Sequence, residues 1–302
     1  MTVFLEEARG SGRCPLVSIL VPAYNHESFI GEALDSLMNQ SYPNLELLLI
    51  DDGSSDGTVK IIDSYRNKLG SRFSRSWVVS KSHSGLKANL NLMIKEARGE
   101  YVFIMASDDV ADPHAIETLV DFLEKHCDYV LAVGNNDFID GNSDKLFLRS
   151  GNKTHTSQED NLKIKNLVNK KKFGTYMELL KGNHVPNGYL IRRNAIERVG
   201  GYQFALEDWG LNLQLSKFGK FEYIPKILLS YRLHGGNTIL QYNYKSSQKK
   251  IFSEVYRNEF SYNLKTGNIV SFALYFIRYY ILRFYTPVFL KKIMRKFINE
   301  PN

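Results

Sequence analysis

The first 135 residues alternate short, continuously apolar runs with stretches of helical spacing, and this alternation restricts the possible folds more than any other feature. VSILV at 17–21, LLLI at 47–50, SWVV at 76–79, YVFIMA at 101–106 and YVLAV at 129–133 predict strands. Between them Phe29, Ala33, Leu34 and Leu37, then Leu86, Leu90, Met93, Ile94 and Ala97, then Leu119, Val120 and Leu123 recur as on a buried helix face. Strands that are apolar along their whole length are buried on both faces, as in a parallel sheet covered by helices. The expected class is α/β: a doubly wound, mostly parallel, Rossmann-like sheet with ligands at the carboxyl ends of its strands.

Charge limits the partners. The 302 residues carry 39 Lys+Arg and 32 Asp+Glu, a net +7. Residues 241–302 hold 11 basic and 3 acidic side chains, +8, which leaves −1 for residues 1–240. A nucleic-acid binder carries its basic surface on the folded domain, so no nucleic-acid partner is expected. Cys14 and Cys127 are too few for a disulfide framework or a four-cysteine zinc site, and residues 1–14 read as an extension without an apolar leader. A reducing, cytoplasmic setting follows as the expectation.

Carboxylates cluster where the strands end. Asp51 and Asp52 follow LLLI, and the turn residues Gly53 to Thr58 then lead into a helix. There a carboxylate can accept hydrogen bonds from a base or ribose, or Asp56 or Ser55 can cap the helix while Asp51 braces the turn. Ser107, Asp108 and Asp109 follow YVFIMA at the same edge, before the helix signalled by Asp112 and Pro113. Two carboxylate pairs brought together repel unless a cation or donor groups lie between them, and a divalent metal shared with a diphosphate meets that need. Glu207 and Asp208 open the helical pattern EDWGLNLQLSKFG, where they can cap the helix or supply a catalytic base. No nucleophile elbow, dinucleotide fingerprint, phosphate loop or metalloprotease histidine pair is present.

These residues resemble the family 2 glycosyltransferases, which have the GT-A fold. The resemblance rests on VSILVPAYNHESFIGEALDSLMNQSYPNLELLLIDDGSSDGT at 17–58, then ARGEYVFIMASDDV, ALEDWGLNLQL and SYRLHGGNT, in that order over about residues 15–238. It implies a domain over 15–240, with a nucleotide-binding half at 15–135, a polar connection at 141–173 that is expected to be mobile, and an acceptor half at 174–240. It implies that Pro22, Ala23, Tyr24 and Asn25 line the base pocket and that Asp52, with Asp51, contacts uracil or ribose. His83 and Lys87 lie in a loop that reaches the nucleotide. Asp109 would ligate the metal, Mn²⁺ or Mg²⁺, Asp108 would bind ribose or the metal shell, and His234 would add a metal or diphosphate contact. Asp208 would be the base and Glu207 an acceptor contact. Acceptor recognition is expected from Asn187, within Val185 to Gly188, and from Trp209.

The implied reaction moves one sugar from a nucleotide-diphosphate donor, a UDP-sugar, to a glycan hydroxyl with inversion. The setting implied is bacterial surface polysaccharide synthesis on a lipid-linked acceptor. A sugar-phosphate nucleotidyltransferase would also use such a sheet and carboxylates, but it leaves the Glu207–Asp208 helix and His234 unexplained; a silent carbohydrate-binding scaffold gives no reason for three carboxylate sites. The tail at 241–302 reads as helical, basic and aromatic. Its longest uncharged run near the end, residues 266–277, is far short of the ~20 residues a spanning helix needs. It suits peripheral attachment to an anionic membrane at the inner face, or packing on the domain or on a second subunit.

Overall fold

Each of the five apolar runs is a strand, and the helical stretches between them are helices. The computed structural model describes residues 13–150, 153–158, 162–203, 207–237 and 244–281. Its strands are β1 (Val17–Ala23), β2 (Leu45–Asp51), β3 (Ser76–Ser80), β4 (Tyr101–Ile104), β5 (Val110–Ala111), β6 (Tyr129–Ile139), β7 (Leu148–Ser150), β8 (Lys153–His155), β9 (Tyr189–Arg192) and β10 (Lys220–Arg232). The helices that matter for the site are α1 (Ile30–Met38), α2 (Thr58–Arg72), α3 (Leu86–Glu96), α4 (Ala115–Lys125), α5 (Leu162–Asn169), α6 (Tyr176–Leu179), α7 (Arg193–Val199) and α8 (Glu207–Leu215).

Eight strands form one sheet in the order β3-β2-β1-β4-β9-β6-β10-β5. Pairing is parallel except at β9 and β5, which run against their neighbours. β2 is buried at every position, as its unbroken apolar run requires. α1 buries Ile30, Ala33, Leu34 and Leu37, and α4 buries Ala115, Ile116, Leu119, Val120 and Leu123, all in one core with Val17, Ile19 and Val21 of β1.

Register brings the motifs together. Ala23 pairs with Asp51, which pairs with Ser80, so three segments leave the sheet at one level. β4 ends at Ile104 opposite Leu20, so residues 105–109 run alongside the end of β1. β10 joins the runs FEYI and ILLSY into one strand. Its register shifts between Ile224 and Ile227, where Pro225 has no N–H to give the ladder. β10 then returns Ser230 opposite Val110, next to the Asp108–Asp109 pair.

The polar stretch at 141–173, expected to lack regular structure, holds the β7–β8 hairpin and α5. Ile164 and Leu167, one helical turn apart, are buried there; a single such pair is too short a repeat to show as periodicity.

The chain divides into two compact units, Met1–Tyr176 with His184–His234, and Met177–Asn183 with Gly235–Asn302. In the second, the helix Tyr244–Lys265 is followed by the helix Ile269–Tyr275 and a π-helical turn at Phe276–Ile281. Tyr256 packs against Phe272, Phe276 and Tyr280 at 5.6, 5.3 and 6.1 Å between ring centres. Val270, Leu274, Ile277 and Ile281, one helix face by spacing, are all exposed. Arg283, Pro287 and the basic residues from Lys291 lie outside the described residues. Among the described residues, no helix is long and apolar enough to cross a membrane.

Candidate active site

The first carboxylate pair is bound into loops. Asp51 is buried and accepts from the N–H groups of Gly53 and Ser54 at 3.2 and 3.1 Å and from the Ser54 hydroxyl, so it braces the turn. Asp56 accepts from the Thr58 N–H at 3.0 Å and serves the start of α2. Asp52 accepts from the Ser84 and Gly85 N–H groups at 2.8 and 2.9 Å and meets His83 Nδ1 at 3.0 Å. Burial works to raise the Asp52 pKa, but hydrogen bonds from Asn89, Ser84 and Gly85 and the nearby His83 together hold it below the usual carboxylate range.

Gly53, at φ +77°, has no room for a side chain: a Cβ would lie 3.0 Å from the His83 nitrogen and 3.1 Å from the Lys81 oxygen. The turn and the 81–85 loop are therefore one unit.

Around that unit stand the other residues expected at the nucleotide. Tyr24 is 46% exposed and its ring lies 4.9 Å from His83, tilted by 45°. Asn25 sits at φ +52° and accepts from the Ser55 N–H at 2.8 Å, while Pro22 and Ala23 are the last two residues of β1. Lys87 is exposed in the first turn of α3. Lys81, which the sequence did not single out, reaches Asn89 at 2.9 Å and the Ser84 hydroxyl.

The second pair is divided by environment. Asp108 Oδ2 lies 3.0 Å from His234 Nε2, and donor atoms of His26, Asp108 and His234 all lie within 4.8 Å of one another. Asp109 is wholly buried; one oxygen accepts from the Arg232 N–H at 3.0 Å and Oδ2 has no partner. Burial, and then the neighbouring Asp108 charge, drive the Asp109 carboxyl well above its usual range against the pull of Arg232. The family resemblance implies a direct metal contact for Asp109; in the structure Asp108 is the carboxylate grouped with the imidazoles of His26 and His234. An uncompensated carboxylate oxygen beside a second carboxylate and two imidazoles fits a divalent cation in its chemistry.

Arg232 holds this arrangement from beneath. Its guanidinium is buried and donates to the Asp108 and Asp140 carbonyls at 2.7 and 2.8 Å, to Ser143 Oγ at 3.0 Å and to Glu32 at 2.5 Å. It also lies 5.0 Å above the Phe29 ring.

The third site is built on α8. Asp208 Oδ1 accepts from the Tyr189 hydroxyl at 2.5 Å and lies 3.5 Å from the Tyr202 hydroxyl. Tyr202 is itself fixed by Asn91 of α3, which accepts from its N–H at 2.8 Å and donates to its carbonyl at 2.9 Å. Burial raises the Asp208 pKa, with the two tyrosines opposing. Burial also pushes the Tyr231 hydroxyl up to about 12, helped by the charges of Asp109, Asp108 and Asp208, so one phenol senses both carboxylate sites. Trp209 and Leu213 are buried, as helix packing requires, and Trp209 therefore offers little surface to a sugar. Asn187 accepts from Asn136 Nδ2 through its backbone carbonyl at 3.2 Å, and the Glu207 side chain lies outside the described residues.

Residues 18–199 match the family model of glycosyl transferase family 2. The chain belongs to this family. An uncharacterized glycosyltransferase of Haemophilus influenzae is 31% identical over 85% of the chain and 79% of its own length. A chondroitin synthase of Pasteurella multocida is 30% identical over 80% of the chain, which spans only 23% of that relative. Among solved structures, S. aureus TarS 1–349 in complex with UDP-GlcNAc matches with a TM-score of 0.63 at 19% identity, over 88% of this chain and 73% of that one. The mannosyltransferase PcManGT of Pyrobaculum calidifontis, in complex with GDP-Man and Mn²⁺, matches at 0.59 and 17% identity, over 84% and 65%. The fold is GT-A, as the motif order implied.

Besides Lys81, four residues of this glycosyltransferase site were not singled out from the sequence: His26, Tyr189, Tyr202 and Arg232. Two carried a signal. His26 directly follows VPAYN, and Arg232 is the charge that closes the apolar run ILLSY, two residues before His234. Tyr189 and Tyr202 look like ordinary core aromatics until Asp208 is placed beside them.

Proposed function

We propose that this glycosyltransferase moves a sugar from a UDP-sugar to a hydroxyl of a glycan acceptor with inversion at the anomeric carbon. The observation that carries the reading is Asp208: a half-buried carboxylate with raised pKa, held at one oxygen by the Tyr189 and Tyr202 hydroxyls. Asp52, Tyr24 and His83 bind the nucleoside end, where one exposed ring and a loop-held carboxylate offer stacking and acceptor groups.

Asp108 and His234 would hold a divalent cation, with Asp109 Oδ2 as a further oxygen. When bound, Mn²⁺ or Mg²⁺ supplies neutralisation of the charge on the leaving diphosphate. Asp208 takes the acceptor hydroxyl proton at its second oxygen as the acceptor oxygen attacks from the face opposite the diphosphate. Tyr189 and Tyr202 orient that carboxylate and keep it ionised against its burial. The chondroitin synthase relative and the UDP-GlcNAc complex of TarS support a bacterial polysaccharide setting and a UDP donor. The exposed stripe Val270, Leu274, Ile277 and Ile281, with the +8 charge of residues 241–302, supports attachment to an anionic membrane surface carrying a lipid-linked acceptor.

Incubation with a panel of UDP-sugars and Mn²⁺ tests the reading. Slow release of UDP, abolished by a chelator, is expected. Pyrophosphate formation from a sugar phosphate and UTP would mean a nucleotidyltransferase instead, and donor binding without turnover would mean a scaffold.

A further inference from the structure

His26 lies outside the motifs that place the cation, yet its ring is held at the same point. Its N–H donates to Thr58 Oγ1 at 2.8 Å, which ties the backbone after β1 to the start of α2. Its Nδ1 engages Ser107 Oγ at 2.7 Å, directly beside Asp108. The ring meets Phe29 edge-on at 6.0 Å and His234 at 5.7 Å and 83°. A histidine fixed through one ring nitrogen presents the other in a set direction, which is how metal-ligating imidazoles are oriented.

The spacing also suits a shared ion. Two ligand atoms about 2.1 Å from one cation and at right angles to each other stand about 3 Å apart, and Asp108 Oδ2 and His234 Nε2 stand at 3.0 Å. The third donor, from His26, lies within 4.8 Å of both. A separate observation points to the same ion: Asp109 Oδ2 is buried without a partner beside this cluster's carboxylate.

We propose that His26 is a cation ligand together with Asp108 and His234, forming a site of two imidazoles and one carboxylate that favours Mn²⁺ and the later first-row ions over Mg²⁺. This rests on the metal site of the proposed transferase reading. The preference follows from the donor set: Mg²⁺ takes oxygen ligands and keeps its waters, whereas imidazole nitrogen gains affinity along the series from Mn²⁺ through Co²⁺. Asp108 with His234 alone would discriminate less, because only one of two donors is nitrogen.

The test is binding of the ion alone to the full chain, without donor or acceptor, by calorimetry with MnCl₂, CoCl₂ and MgCl₂, and by the visible spectrum of the Co²⁺ form. The wild type is expected to bind Mn²⁺ at least tenfold more tightly than Mg²⁺, and Co²⁺ more tightly still. His26→Gln and His26→Ala are expected to lose at least tenfold in Mn²⁺ and Co²⁺ affinity, change Mg²⁺ affinity by less than threefold, and alter the Co²⁺ spectrum. Equal wild-type affinities for Mn²⁺ and Mg²⁺ overturn the proposal without any variant. So does a folded His26 variant, checked by its metal-free melting temperature, that binds Co²⁺ with wild-type affinity and spectrum. Failure here leaves the transferase reading to the UDP-release assay, which does not depend on which residue ligates.

Discussion

Replacing Arg232 by methionine keeps a long, flexible side chain in the core while removing every guanidinium donor. The buried Asp108 carbonyl loses this donor, and an unsatisfied buried acceptor costs about 1–3 kcal/mol, whereas the half-buried Asp140 carbonyl keeps the Ser143 N–H at 3.2 Å. Glu32 is 44% exposed and returns to water at little cost, so Glu32→Gln alone should change stability by less than about 1 kcal/mol. The sum, about 1–4 kcal/mol, lies at or below the usual effect of breaking a fully buried charge pair, because Glu32 stays solvated. At about 2–4 °C per kcal/mol for a folded unit of this size, Arg232→Met should melt on the order of 10 °C lower. Differential scanning calorimetry reads this directly, with near-UV circular dichroism to show that the core packs as before. A drop below about 2 °C with unchanged near-UV signal would refute the argument that this guanidinium carries the floor of the Asp108–Asp109 segment.

Other predictions concern chemistry and attachment. Asp208→Asn should lower kcat by about 10²–10⁴, the usual worth of a general base, with donor affinity by calorimetry within about twofold. Because burial raises the Asp208 pKa and only the ionised form accepts a proton, kcat should fall on the acid side through a limb lying above the usual carboxylate range. The stability sign is the reverse: the fold prefers the protonated group, so its stabilising contribution is present at low pH and lost as pH rises through the folded pKa. Asp208→Asn should flatten both dependences. Asp52→Ala should weaken UDP binding on the order of tenfold while kcat at saturating donor falls less, since it frees the Ser84 and Gly85 N–H groups of the nucleotide loop. The full chain carrying Val270→Asp and Leu274→Asp should bind anionic vesicles at least tenfold more weakly in a sedimentation assay, with an unchanged melting temperature.

The strand order at the site was legible because it rests on short-range patterns. A short run such as LLLI at 47–50, bounded by turn residues, reads as a doubly buried strand, and the aspartate pair directly after it emerges at the carboxyl edge. That reasoning placed Asp51–Asp52 and Asp108–Asp109 at one edge, and the register of β1 with β2 and β4 bears it out. Helix α5 escaped because, among its described side chains, Ile164 and Leu167 alone are buried in a polar run. The bulge in β10 was readable only in outline, as a proline between two apolar runs.

What each carboxylate does was decided by tertiary structure. The three acidic sites look alike as a sequence: a strand or loop end, one or two carboxylates, then a helix. Their surroundings differ. Asp51 is taken up by its own turn, Asp52 is held by the 81–85 loop, and Asp109 gives one oxygen to the Arg232 N–H and keeps the other buried without a partner, while Asp108 lies beside two imidazoles and Asp208 beside two phenols. Those partners lie far off along the chain, Asp108 and His234 by 126 residues and Arg232 and Glu32 by 200. Local propensity and periodicity act over a few residues, so they determine which elements form and which end carries charge. Whether a carboxylate closes a turn, faces a cation or serves as a base depends on desolvation and on the donors that packing brings within 3 Å, and only the folded chain supplies those.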